Sequence, residues 1–132
     1  MTAEQALADL TEISSQVRAA ALFDAKGDVA ASTLADPQPF VRAVQDLLAA
    51  AAEARPGTLT QLEAATGDGS VFVVRDGDSF IAATTPAEPT VALVFYDLKT
   101  ALRAAAAAPK RTRAPRRRKA EETGEPEGGS AA

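Results

Sequence analysis

The sequence predicts an α+β domain of order α-β-β-α-β-β-β-α followed by a disordered charged tail. Three observations carry this. Apolar residues recur at three- and four-residue spacing in three separate stretches. Short apolar runs between them are joined by glycine-containing turns. After Leu102 there is no leucine, isoleucine, valine or aromatic residue. The domain is expected over 1–108 and the tail over 109–132.

The first helix is expected at about 3 to 15. Ala3, Leu7, Leu10 and Ser14 share one face with Ala6 and Ile13 beside them, while Glu4, Asp9 and Glu12 lie elsewhere. Thr2 suits an N-cap, and Glu4 suits the positive start of the helix. Two runs, from Val17 to Phe23 and from Val29 to Thr33, then flank Asp24-Ala-Lys-Gly-Asp28. Gly27 can take a positive φ there without steric penalty, so the segment reads as a hairpin. Alanine is a weak strand former, and the reading rests on the turn and its β-branched and aromatic neighbours.

Asp36-Pro37 signals a second helix, an N-cap side chain followed by a proline whose missing N–H costs nothing in the first turn. Phe40, Val44, Leu47, Leu48 and Ala51 form its apolar stripe, and Pro56-Gly57 ends it after Arg55. Ala43, Ala50 and Ala54 give the same helix a second, smooth surface. Small side chains let another helix approach closely, although alanine is also simply the best helix former.

From Leu59 the period becomes two, with Leu59, Gln61, Glu63 and Ala65 on one side and Thr60, Leu62 and Ala64 on the other. Gly67-Asp-Gly69 turns the chain into Ser70–Arg75, and Asp76-Gly77-Asp78 turns it again into Ser79–Thr84, which predicts a three-strand antiparallel meander. Residues 90–107 are composed like a strand at their start. Yet Val91, Val94, Phe95, Leu98, Ala101 and Leu102 follow a helical stripe, and a helix is expected, ended by Pro109.

Composition narrows the chemistry. The 132 residues include 32 Ala, five Phe, one Tyr and no Trp, His or Cys. Without His or Cys there is no Ser-His-Asp or Cys-His pair, no imidazole or thiolate zinc site and no disulfide. Asp24, Asp28, Asp68, Asp76 and Asp78 lack the calcium-loop spacing and sit in glycine-containing turns, where aspartate is common. No dinucleotide fingerprint or phosphate loop occurs. Tyr96 reads as the amphipathic boundary of the third helix. The chain is therefore expected to use no cofactor or metal and to catalyse no reaction. No run approaches the roughly 18 apolar residues of a membrane span, no secretory signal is visible, and a cytoplasmic protein is expected.

Charge is split along the chain. Residues 1–108 carry net −7, whereas 110–119 carry net +7 through Lys110, Arg111, Arg113, Arg116, Arg117, Arg118 and Lys119. This run is a candidate polyanion-binding segment for nucleic acid or an anionic surface; a solvated tail is the plainer reading.

The stretches Ala6–Ile13, Val17–Ser32 and Val91–Arg103, in this element order, resemble the Roadblock/dynein light-chain family, particularly its bacterial branch related to regulators of Ras-like gliding-motility GTPases. Asp24-Ala-Lys-Gly27 matches that family's Asp-x-x-Gly turn, while Ala19 or Ala20 stands where the family often has glycine. The resemblance implies a five-stranded antiparallel sheet between the second helix on one face and the first and third on the other. It also implies a homodimer joined through the second helix and the following strand, which singles out Ala43, Ala50, Ala54, Leu59, Gln61 and Glu63. The function it implies is non-catalytic: regulation of a Ras-like small GTPase, or adaptor work for a related signalling partner.

Overall fold

The computed structural model describes residues 2–106. The elements are α1 (Ala3–Ile13), β1 (Ala19–Asp24), β2 (Val29–Ser32), α2 (Gln38–Ala54), β3 (Gln61–Ala65), β4 (Ser70–Asp76), β5 (Ser79–Thr85) and α3 (Val91–Ala106). The five strands form one antiparallel sheet in the order β2-β1-β5-β4-β3, so the first hairpin docks beside the last strand of the meander. Alternate residues feed two cores. Leu22, Phe72, Val74 and Ile81 pack with Leu7 and Leu10 of α1 and Val94, Leu98 and Leu102 of α3. Phe23, Val73 and Phe80 on the other face pack with Val41 and Val44 of α2. The period-two side-chain alternation of a strand is what allows one sheet to serve both layers.

Local signals explain most boundaries. Thr2 Oγ1 accepts from the Gln5 N–H at 3.1 Å and Gln5 Oε1 accepts from the Thr2 N–H at 2.9 Å, a reciprocal cap at the start of α1. The helix ends at Ile13, two residues earlier than expected, because Ser14 turns to extended backbone while its N–H still donates to Leu10 O at 2.8 Å. In the β1–β2 turn Asp24 Oδ1 accepts from the N–H groups of Lys26 and Asp28 at 2.9 and 3.0 Å, and Gly27 takes φ +91°. At the β3–β4 turn Thr66 does the corresponding work: its Oγ1 accepts from the Asp68 and Gly69 N–H groups, both at 3.2 Å.

Three expectations need correction. Asp36 does not cap α2; Pro37 is the N-cap residue and makes no side-chain capping bond. With prolines at 37 and 39, a cap at Asp36 would find only the Gln38 N–H among its targets. The buried edge of α2 is Val41 with Val44, while Phe40, Leu47, Leu48 and Ala51 are half-buried. On α3 the expected stripe holds except at Val91, which is exposed, and Asp97, just after the boundary residue Tyr96, is only 9% exposed. The tail expected over 109–132 lies outside the described residues.

Edge strand β2 carries an irregularity. Leu22 pairs with Ala31 and Phe23 with Val29, leaving Ala30 as an extra residue in the ladder. Edge strand β3 pairs with β4 in unbroken register from Gln61–Val74 to Ala65–Ser70.

Candidate protein-interaction surface

α2 is docked on the sheet by one flank and presents another to solvent. Its Gln45 side chain lies against the β1–β2 turn: a Cβ built on Gly27 would stand 2.9 Å from Gln45 Nε2. That flank therefore faces the β1–β2 turn. Ala43 is about 200° round the helix from Gln45, and Ala50 and Ala54 lie near it, so these alanines look away from that turn. All three are exposed, and half-buried Leu47 joins them to the packed stripe.

The sheet margin farthest from β2 is β3, with one side paired to β4 and the other open. Leu62 packs toward the α2 core together with Val71. Gln61 and Glu63 are exposed on the alternate side, and Leu59 is half-buried just before the strand begins. An open strand edge and a smooth helix flank offer unpaired backbone groups and close approach, the two things a second protein needs to extend a sheet and pack on it. The six residues singled out from sequence thus fall on α2 and on β3 or its approach. The seven tail cations lie outside the described residues.

The opposite layer has its own relief. A groove of about 340 Å³ between α1 and α3 is lined by Ala6, Asp9, Leu10, Ile13, Tyr96, Asp97, Thr100, Ala101 and Ala104. Ile13 is 72% exposed and Tyr96 67%; Tyr96 lies off the α3 stripe, as a boundary residue does, whereas Ile13 had been placed beside the buried face of α1. On its other flank α3 carries Lys99 and Arg103 beside Gln61 and Val74, a polar shelf of about 320 Å³. Among the described residues no group of three or more His, Cys, Asp or Glu could hold a metal ion. No helix among them is long and apolar enough to cross a membrane.

No family model matches the sequence, and no curated protein does at a significant level. Solved structures do match. The Roadblock/LC7 domain from Streptomyces avermitilis shares 16% identity, with 79% of this chain and 94% of that one covered at a TM-score of 0.64. The gliding protein MglB from Thermus thermophilus shares 19%, with 77% and 84% covered at 0.62. A chain of the complex of LokiProfilin2 with rabbit actin shares 12%, with 79% and 96% covered at 0.57. The protein has the Roadblock/LC7 fold, an α+β sandwich of one antiparallel sheet between α2 and the α1–α3 pair. Structures of that fold that match this chain include the gliding protein MglB.

Proposed function

We propose that this chain is a non-enzymatic regulator or adaptor that acts as a homodimer on a Ras-like small GTPase or a related signalling partner. The observation that carries the reading is the open β3 edge together with the exposed alanine shoulder of α2. Two copies related by a two-fold axis satisfy both features at once, β3 against β3 and α2 against α2. Ala43, Ala50, Ala54, Leu59, Gln61 and Glu63 are the residues proposed for that contact. The fold shared with MglB and the lack of His, Cys or a phosphate loop support a role exerted on a partner's chemistry. Because the same fold also occurs in an actin–profilin complex, the partner class rests on the sequence resemblance as well.

The test is GTP turnover with the purified chain alone and with a Ras-like GTPase from the same genome. The chain alone is expected to be silent, and the mixture to hydrolyse GTP or retain nucleotide at a changed rate. Turnover by the chain alone that survives repeated purification and vanishes with an aspartate turn variant overturns the reading.

A second reading is carried by the seven cations between Lys110 and Lys119. Here the folded domain pairs two tails and the tails bind nucleic acid or another anionic surface. Without an aromatic residue in the run there is nothing to stack on bases, so such binding would be salt-sensitive and blind to sequence. Random duplex DNA titrated against the full chain at several salt concentrations separates this reading from the first.

A further inference from the structure

The α1–α3 groove lies on the opposite face from the α2–β3 surface. Large side chains stand in solvent on its walls, Ile13 from α1 and Tyr96 from α3. Its polar lining is chiefly anionic. Asp9 and the buried Asp97 line it, Glu12 follows Asp9 on α1, and α1 has no basic residue at all. An apolar floor with a negative rim fits long side chains that bring methylenes below and a positive head above, which is the build of arginine and lysine.

Such side chains follow on the same polypeptide. The run of seven cations starts four residues beyond Ala106, the last residue of α3, and Ala104 already lines the groove. From Ala104 back to Tyr96 the helix measures roughly 12 Å. The thirteen residues from 107 to 119 can reach about 40 Å when extended, so the run can reverse and lie along the groove with length to spare.

We propose that the basic run Lys110–Lys119 docks on its own chain in the α1–α3 groove. An arginine head stacks on the exposed Tyr96 ring, its stem covers Ile13, and neighbouring cations pair with Asp9, Asp97 and Glu12. No single contact of this kind is strong, but tethering supplies an effective concentration on the order of millimolar, enough to fill a weak site about halfway. This inference stands apart from the GTPase reading, since neither the α2–β3 surface nor nucleotide turnover enters it.

The experiment uses the single tyrosine. Tyr96 is the only Tyr and there is no Trp, so tyrosine fluorescence reports on this groove alone. Acrylamide quenching is measured on the full-length chain as sodium chloride rises from roughly 0.05 to 0.5 M, a range over which screening removes exposed ion pairs. Quenching of the wild type is expected to rise about twofold with salt, as the half-filled site empties. Two full-length variants should show the high-salt value throughout: one with Arg111, Arg113, Arg116, Arg117 and Arg118 all changed to Gln, and Asp9→Lys at an exposed helix position. Circular dichroism verifies that both are folded. Salt-independent quenching, or equal quenching of wild type and the arginine variant at low salt, overturns the proposal. Protection that depends on the arginines but survives Asp9→Lys overturns it in favour of docking elsewhere. Protection that grows with protein concentration and survives the arginine changes overturns it in favour of a second copy in the groove.

Discussion

Phe23 on β1 and Phe80 on β5 stand directly opposite each other, their rings 5.4 Å apart and 7° from parallel, on the face of the sheet that α2 covers. The Arg75 guanidinium lies 5.3 Å from the centre of the Phe80 ring, while its Nε donates to Gly77 O at 2.7 Å. The stack thus joins the first hairpin to the meander, two units separated in sequence by the whole of α2.

A double-mutant cycle measures that joint. Phe23→Leu and Phe80→Leu should each destabilise the domain, and the pair should lose less than the two together, with a coupling of about 0.5–1.5 kcal/mol. Urea denaturation gives all four stabilities. Strict additivity would mean that the rings contribute only through buried area.

The proposed dimer contact is tested at the alanine shoulder. Ala50 is exposed on α2, so Ala50→Arg should leave the protomer's fold, read by circular dichroism, unchanged. In the assembly it would place a charge where two helices come close. Light scattering is expected to give a dimer mass for the wild type and a monomer mass for the variant. A monomeric wild type at tens of micromolar, a rough concentration above the dissociation constants of stable dimers, would reject the α2–β3 contact.

Gly67 and Gly69, two residues apart in one turn, should respond in opposite ways. A Cβ on Gly69 would run into the backbone carbonyl oxygen of Thr85, whereas a Cβ on Gly67 meets nothing within 4 Å. A backbone atom held in the β4–β5 ladder cannot move aside. Gly69→Ala should therefore cost about 1–3 kcal/mol, and Gly67→Ala should be neutral or stabilise by up to about 1 kcal/mol through the unfolded chain. Thermal melts of the two variants check the sign of each.

The legible parts of this fold were those decided within a few residues. The β1–β2 turn was readable because Asp24 and Gly27 close it with their own hydrogen bonds and backbone freedom. α3 was readable because its stripe outweighed the strand-like composition of Thr90–Tyr96. What the sequence concealed depended on neighbours. Asp97 sits three residues after Val94 and four before Ala101, so helical spacing alone puts it on the buried face. Its charge argued the other way, and only the docking of α1 settles the matter. Val41 and Leu47 flank the same α2 stripe, and which of them is buried depends on how the helix rolls onto Phe23 and Phe80. The candidate contact was legible as a list of small and alternating residues. The contact of Gln45 with the Gly27 turn, which sets how α2 is rolled on the sheet, was not legible in that list. The α1–α3 groove was not legible at all, because periodicity tells which side of Ile13 and Tyr96 points inward but not how far the facing helix extends.

The two margins of the sheet are unequal, and that inequality sets a valency. At β2 the extra residue Ala30 interrupts the ladder and spoils the flat row of donors and acceptors that another strand would need. At β3 the row is regular. A molecule with one competent margin can join a single neighbour by sheet addition, and the union uses up the margin of both. In the proposed β3-to-β3 pair, sheet addition would stop at two copies, because the described strands leave no second regular margin.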